Sequence, residues 1–191
     1  MIKFKKKELL ELTDAYHKVM YWFFSYPHKE ISLSDLTKLV GISKTTANRV
    51  VLELAKRRFL RIQELGKLWR ISSDPQHEFT TTRKIAYNLE SIYESGIISE
   101  ILKKKPTPRC ITLFGSYRKG DDTQQSDIDI AVEVLGNHQP TITLLGVISK
   151  LRYRKNVKVN LLTFSRNNID INLFTNIANG IVLYGLLEVK P

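Results

Sequence analysis

Residues 115–135 read GSYRKGDDTQQSDIDIAVEVL, and they follow the apolar run CITLF at 110–114. A basic chain here sets two aspartates, Asp127 and Asp129, one residue apart between apolar stretches. On an extended strand side chains alternate in direction, so both carboxylates project from one face, their α-carbons roughly 6.5–7 Å apart. Ile128 and Ile130 then point the other way, into a core. Two carboxylates side by side on firm backbone repel each other unless one is protonated or a cation bridges them. Oxygen ligands suit Mg2+, which usually takes one or two carboxylates plus substrate phosphates. A cation-bridged pair accounts for the apolar framing. The competing reading is a solvated strand edge capped by Lys119 or Arg118, which leaves Gly115 and Ser116 unexplained.

The first half of the stretch points the same way. Gly115 and Ser116 directly follow the buried strand. A glycine lets backbone approach a phosphate closely, and a serine hydroxyl can bond a phosphate oxygen. Lys119 adds a positive charge one turn on, and Gly120 frees the loop. A phosphate cradle beside a metal-binding acid pair is the minimum for a Mg-nucleotide. Working outward, DIDIAVEVL reads as an alternating strand and TITLLGVISKLR (141–152) as a helix. VKVNLLTF (157–164) reads as a strand, NNIDINLFTNIAN (167–179) as a helix stopped by Gly180, and IVLYG (181–185) as a closing strand. Strands alternating with helices predict an α/β layer structure.

GSYRKG, the ten residues between Ser116 and Asp127, and then DID resemble the nucleotidyltransferase signature of the DNA polymerase β superfamily, most nearly its minimal nucleotidyltransferase branch. The resemblance covers about residues 107–185. It implies two-metal nucleotidyl transfer, in which an acceptor attacks the α-phosphate of a nucleoside triphosphate and pyrophosphate leaves. It also implies that Asp127 and Asp129 are catalytic and hold Mg2+, up to two ions, while Gly115 and Ser116 hold the β- and γ-phosphates, with Lys119 beside them. The family usually places a third carboxylate on a neighbouring strand. VKVNLLTF has Asn160 at that position, with Lys158 on the same face. An amide can ligate through its carbonyl, but it carries no charge and is a poor base. Glu133 and Asp170 are the carboxylates that the fold would have to bring in instead.

Upstream, residues 6–25 are predicted to form a helix ending before Pro27. In ISLSDLTKLVGISKTTANRVVLELAKRRFL, Ser32 and Asp35 have capping-box spacing, and Leu33, Leu36, Leu39 and Val40 make a short apolar face stopped by Gly41. Ser43 is placed to cap a second helix, on which Ala47, Val50, Val51 and Leu54 share a face. Two short helices joined by a glycine-containing turn make a helix-turn-helix pattern. Leu60 to Ile71 then alternate around a turn at Leu65–Gly66, which predicts a hairpin. The combination, over roughly residues 12–73, resembles a winged-helix DNA-binding domain. That resemblance implies base or backbone contacts from Lys44, Thr45, Asn48 and Arg49 on the second helix and from Arg61, Lys67 and Arg70 on the hairpin. Winged helices also serve as protein-interaction modules.

The predicted organisation is therefore two domains of mixed α+β and α/β type. Residues 1–75 form the winged helix, 76–106 a helical connector, and 107–191 a nucleotidyltransferase-like domain with a mixed sheet and flanking helices. In the connector, Ile85, Leu89 and Ile92 form one apolar stripe; Gly96 breaks it, and Pro106 and Pro108 end it. The chain has 191 residues and a formal charge of +11. Residues 1–75 hold 15 Lys and Arg against 8 Asp and Glu, so most of the excess lies in the first domain. A localised basic excess favours a polyanionic partner, DNA above all.

The single cysteine, Cys110, sits in an apolar run, which excludes an intrachain disulfide and fits a reducing cytoplasm. His17, His28, His77 and His138 have no metal-ligand spacing. No apolar run approaches the roughly 20 residues that span a bilayer. Acidic residues interrupt the first helix, so it makes a poor signal peptide. Two functions follow. One is a DNA-binding nucleotidyltransferase that moves AMP from ATP to a macromolecular acceptor; the resemblance implies an antitoxin-like, self-regulating protein whose acceptor is a protein such as a small helical toxin. The other is a DNA-binding transcription regulator that keeps the fold for nucleotide sensing or dimerisation, which Asn160 favours. A palindromic operator would require a homodimer.

Overall fold

The computed structural model describes residues 13–66 and 68–189. The helix expected over 6–25 is seen as α1, Asp14–Ser25, and residues 6–12 lie outside the described residues. A two-residue strand, β1 (Ile31–Ser32), precedes α2 (Leu33–Val40). Ser32 caps α2, accepting the Asp35 amide at 3.1 Å and donating to the Asp35 carboxylate at 2.8 Å. Gly41 closes α2 in the left-handed conformation, φ +67°. Ser43 caps α3 (Lys44–Lys56) by accepting the Thr46 amide. Strands β2 (Leu60–Leu65) and β3 (Leu68–Ser73) form the expected hairpin, and β1 adds to β3, giving an antiparallel sheet of order β1-β3-β2. Val19, Leu36, Ala47, Val50, Val51, Leu54 and Ile71 make its core with Phe23 and Phe24, all fully buried.

The connector consists of α4 (Arg83–Glu94) and α5 (Ile97–Lys104), separated by Gly96 at φ +79°. The rest is one five-stranded sheet built from β4 (Cys110–Phe114), β5 (Ile128–Glu133), β6 (Thr141–Leu151), β7 (Arg154–Phe164) and β8 (Ile181–Gly185). Its order is β6-β7-β5-β4-β8; β5 and β7 run parallel and the other neighbours antiparallel. A mixed sheet with helices was expected, and it is what forms. One face packs Ile111, Leu113, Ile128, Ile130, Val132 and Val159 against Ile92, Ile97 and Ile101 of the connector. The other is covered at one end by α7 (Ile171–Ala178), through Ala131, Leu162, Phe164 and Ile177.

Two expectations fail. TITLLGVISKLR is not a helix: residues 141–151 form β6, an edge strand paired antiparallel with β7. Ile142, Leu145, Ile148 and Leu151 recur at three-residue spacing and imitate a helical face. The segment is nonetheless rich in β-branched residues, which favour an extended chain, and Gly146 weakens a helix there. A register shift between Leu144 and Gly146 absorbs one residue. Residues 115–119 are not loop but a short helix, α6 (Gly115–Lys119). Gly120 does not loosen that segment. It caps α6 at φ +80°, and a β-carbon there would lie 1.9 Å from the Thr80 carbonyl oxygen. The glycine permits close approach of the turn before α4.

That approach is fastened by a polar face on α4. Lys84, Asn88 and Ser91 are buried on it, whereas Ile85 and Leu89 of the expected apolar stripe are half-buried. The Lys84 ammonium lies 3.3 Å from the Asp122 carboxylate and also donates to the Asp122 carbonyl. Asn88 donates to the same carboxylate at 2.7 Å and to the Tyr117 carbonyl at 2.9 Å. Burial, the largest influence on both ionisable groups, pushes the Lys84 pKa down and that of Asp122 up, against their mutual attraction. The first domain is held to the second by similar bonds. Tyr26 donates to the Tyr153 carbonyl at 2.6 Å, Ser25 and Tyr87 share a hydrogen bond at 2.8 Å, and Arg152 pairs with Glu90 and Glu94 at 3.0 and 2.7 Å.

Removing one partner of a buried pair leaves an uncompensated charge, which costs about 3–5 kcal/mol. Lys84→Met should therefore destabilise the fold by about that much in urea denaturation. Adding Asp122→Leu should recover a large part of it. Simple addition of the two single losses would refute the coupling.

Candidate functional site

The site forms where the sheet face beyond α7 is left open. Asp129, Ala131 and Glu133 share one face of β5. Ala131 and Glu133 are buried, but Asp129 lies at the uncovered end of the strand and is half-buried, as is Asp127 one residue before the strand. Parallel register sets Asp129 opposite Asn160 of β7. The Asn160 amide nitrogen lies 3.0 Å from Asp129 Oδ1 and 3.4 Å from Asp127 Oδ2. Ionised carboxylates only accept, so the amide turns its nitrogen toward them. Continuing the register one step sets Lys158, exposed, opposite Asp127. Among the described residues neither carboxylate is in an ion pair.

On the other side β4 pairs with β5, and Phe114 faces Asp129 in the register. The chain turns at Gly115, φ +72°, where a β-carbon would sit 2.7 Å from Asp129 Oδ2. Only glycine admits both the conformation and the carboxylate. Ser116 is half-buried on the first turn of α6, and Lys119 is exposed on its last. Among the described residues neither side chain bonds the acid pair. The fold thus brings Gly115, Asp127, Asp129 and Asn160 together at one sheet edge, with Ser116 next in the chain.

The segment from α6 to the acid pair is held rigidly. Arg154, 5% exposed at the start of β7, donates to the Tyr117 hydroxyl, to the Gln124 carbonyl at 3.1 Å and to the Ser126 carbonyl. Ser126 immediately precedes Asp127, so this guanidinium and the Lys84–Asp122–Asn88 cluster fix both ends of the intervening loop. The sequence reading missed all five residues: Lys84, Asn88, Tyr117, Asp122 and Arg154. A signal existed in α4, where Lys84, Asn88 and Ser91 recur at helical spacing. Nothing local marks Arg154.

The two alternative carboxylates are elsewhere. Glu133 is 1% exposed and held by Arg166 at 3.0 and 3.1 Å, two positions further along the same face than Ala131. Asp170 caps α7, accepting the Asn172 and Leu173 amides. Among the described residues no group of three or more His, Cys, Asp and Glu could hold a metal ion. The oxygen ligands present are the two aspartates, since Asn160 turns its nitrogen toward them. They suit a single hard cation that draws its remaining oxygens from a bound phosphate or water. Cys110 is buried and free, and burial raises its thiol pKa.

The sequence that builds this site is similar to known proteins. Residues 97–186 match the family described as polymerase beta, nucleotidyltransferase. The C-terminal part of the chain is thus similar to nucleotidyltransferase domains of this superfamily. The match begins at the first residue of α5, so α4, which carries Lys84 and Asn88, lies outside it. Over 65 residues the chain is 43% identical to a Methanocaldococcus jannaschii protein named "Putative protein adenylyltransferase MJ1379". That stretch is 34% of this chain and 65% of the relative, so the chain spans just under two thirds of the curated protein it matches. No solved structure matches at a significant level. No helix among the described residues is long and apolar enough to cross a membrane.

The basic residues expected on the first domain are partly engaged. Lys44, Thr45 and Arg49 are exposed on α3 and Asn48 is half-buried, opposite the buried Ala47–Val50–Val51–Leu54 face. Arg61 pairs with Asp74 at 2.9 Å and Arg70 with Glu30 at 3.2 Å. Lys67 lies outside the described residues. Exposed pairs of this kind contribute little, so both arginines stay available to another anion.

Gly115→Ala tests the fit at the candidate site. Left-handed backbone costs an alanine roughly 1–2 kcal/mol, which the fold should survive. Its methyl group should displace the Asp129 carboxylate. Calorimetric titration with Mg-ATP should show at least about a tenfold loss of affinity (about 1.4 kcal/mol), against a small shift in Tm. Unchanged affinity would mean that Asp129 is not a ligand.

Proposed function

We propose that this protein binds a Mg-nucleotide at Asp127 and Asp129 and transfers the nucleotidyl group, AMP from ATP in the simplest case, to a macromolecular acceptor. The observation that carries the proposal is the pair of carboxylates that have no ion-pair partner among the described residues, at the open end of β5 with Asp129 against Gly115. Asp127 and Asp129 would hold the cation, which when bound offsets phosphate charge and polarises the phosphoryl group. Gly115 and Ser116 contribute a stretch of backbone and a hydroxyl for the terminal phosphates. In the transfer an acceptor oxygen bonds to the α-phosphorus, the bond to the β-phosphate oxygen breaks, and pyrophosphate leaves with the electron pair. The relative's printed name favours a protein as acceptor.

The first domain supports a second activity. Three helices on a three-stranded antiparallel sheet, with α2 and α3 joined by a tight turn at Gly41, have the outline of a winged helix. On that reading α3 enters the major groove with Lys44, Thr45, Asn48 and Arg49, and Arg61 and Arg70 approach the phosphates. A DNA-binding domain on the same chain suits an antitoxin-like protein that modifies a small helical toxin and represses its own operon. One observation favours a different outcome. Asn160 stands where a carboxylate would help to activate the acceptor, and an amide is a poor base. A regulator that binds the nucleotide without turnover is therefore the second reading.

Incubation with α-phosphate-labelled ATP, Mg2+ and a lysate of the source cell should label a macromolecule. An Asp127→Ala, Asp129→Ala protein should label none. Equal labelling by both would remove this site from the chemistry, and no labelling with nucleotide binding intact would leave the regulator. In gel retardation on its own promoter fragment, Lys44→Ala with Arg49→Ala should abolish binding. Unchanged retardation would exclude α3.

A further inference from the structure

We infer that this site holds one divalent cation with its nucleotide, and that Asn160 excludes the second. The inference rests on the nucleotide-binding reading above and specifies how that site is charged. Three observations carry it.

The first is the supply of ligands. Among the described residues, the carboxylates placed at the open end of β5 are those of Asp127 and Asp129. Glu133 is closed off by Arg166, Asp170 caps α7, and Asp122 is buried against Lys84. No third acidic or imidazole ligand joins the pair among the described residues. A cation carried by the triphosphate brings phosphate oxygens with it, so two carboxylates suffice. A cation serving the acceptor oxygen has no such second source.

The second is the position of the Asn160 amide. Its nitrogen donates to Asp129 Oδ1 and lies within 3.4 Å of Asp127 Oδ2. These N–H groups occupy the side from which a carboxylate on β7 would share a cation with both aspartates. The amide thus does, without charge, part of what that cation would do: it links two like charges that would otherwise repel.

The third is the neighbouring charge. Lys158, exposed opposite Asp127 and with no ion-pair partner among the described residues, sets a positive charge beside the acid pair. A like charge there disfavours a second cation on the pair, whereas the first arrives with the polyanionic triphosphate.

The test counts ions rather than turnover. Full-length protein would be titrated with Mn2+ in the presence of α,β-methylene-ATP, which cannot release pyrophosphate. The free Mn2+ signal would be followed by electron paramagnetic resonance, and bound nucleotide measured in parallel. The wild type should bind one Mn2+ per bound nucleotide. Asn160→Asp should bind two, with the broadening expected of neighbouring spins. Two Mn2+ per bound nucleotide in the wild type would overturn the inference alone, and this holds whether or not the variant folds. A folded Asn160→Asp protein that still binds one would overturn the role given to Asn160. No bound nucleotide at saturating Mn2+ would overturn the nucleotide reading and this inference with it.

Discussion

A buried lysine, Lys84, sets the frame of this molecule. The residue is 1% exposed, and its ammonium meets the carboxylate and the carbonyl of Asp122, itself 2% exposed. Taking two charges out of water is costly, and the attraction repays the cost only with good geometry and further hydrogen bonds. Asn88 supplies those bonds to the Asp122 carboxylate and the Tyr117 carbonyl. An arrangement that tolerates so little displacement defines where α4 sits relative to the segment 117–122. Gly120, with no room for a β-carbon against Thr80, sharpens the same constraint.

The consequences reach the candidate site through the backbone. Residues 120–127 run from the end of α6 to the acid pair. Their first part is pinned by α4 and their last part by Arg154, which holds the carbonyls of Gln124 and Ser126. A loop fixed at both ends gives Asp127 and Asp129 defined positions even though each repels the other. Repulsion is relieved in part by the Asn160 amide, a neutral donor from the neighbouring parallel strand. Rigid support beneath and an open face above is an arrangement suited to binding an external cation and polyanion, since the ligand need not order the site on arrival.

The same lock couples the two domains. Tyr87, one turn from Lys84 on α4, belongs to the core of the first domain, while Ile92 on the same helix belongs to the core of the second. Tyr26, Ser25 and Arg152 add hydrogen bonds and ion pairs across that junction. Helix α4 is therefore a shared structural member rather than a flexible linker. Helix α3 thus belongs to a body that is continuous with the acid pair through packed side chains.

Much of this was legible in the sequence. The capping serines Ser32 and Ser43, the stops at Gly41 and Gly96, and the apolar faces of α2 and α3, save for Leu39, which was expected on the α2 face and is exposed, are local signals, because helix ends and faces are decided by residues a few positions apart. The spacing of Gly115, Asp127 and Asp129 was equally readable, since strand alternation alone puts both carboxylates on one face. What sequence could not supply depends on partners distant in the chain. Residues 141–151 show an apolar pattern that fits helix or strand, and pairing with β7 decided for strand. Arg154 and Lys84 look like ordinary surface cations until the fold brings Ser126 and Asp122 to them. Asn160 could be read as a missing carboxylate, but that its amide faces both aspartates required the parallel register of β5 and β7. The sequence by itself determined the elements and the chemical type of the site, through short-range periodicity. Only the tertiary structure decided its rigidity and charge, because those come from side chains tens of residues apart meeting where water is excluded.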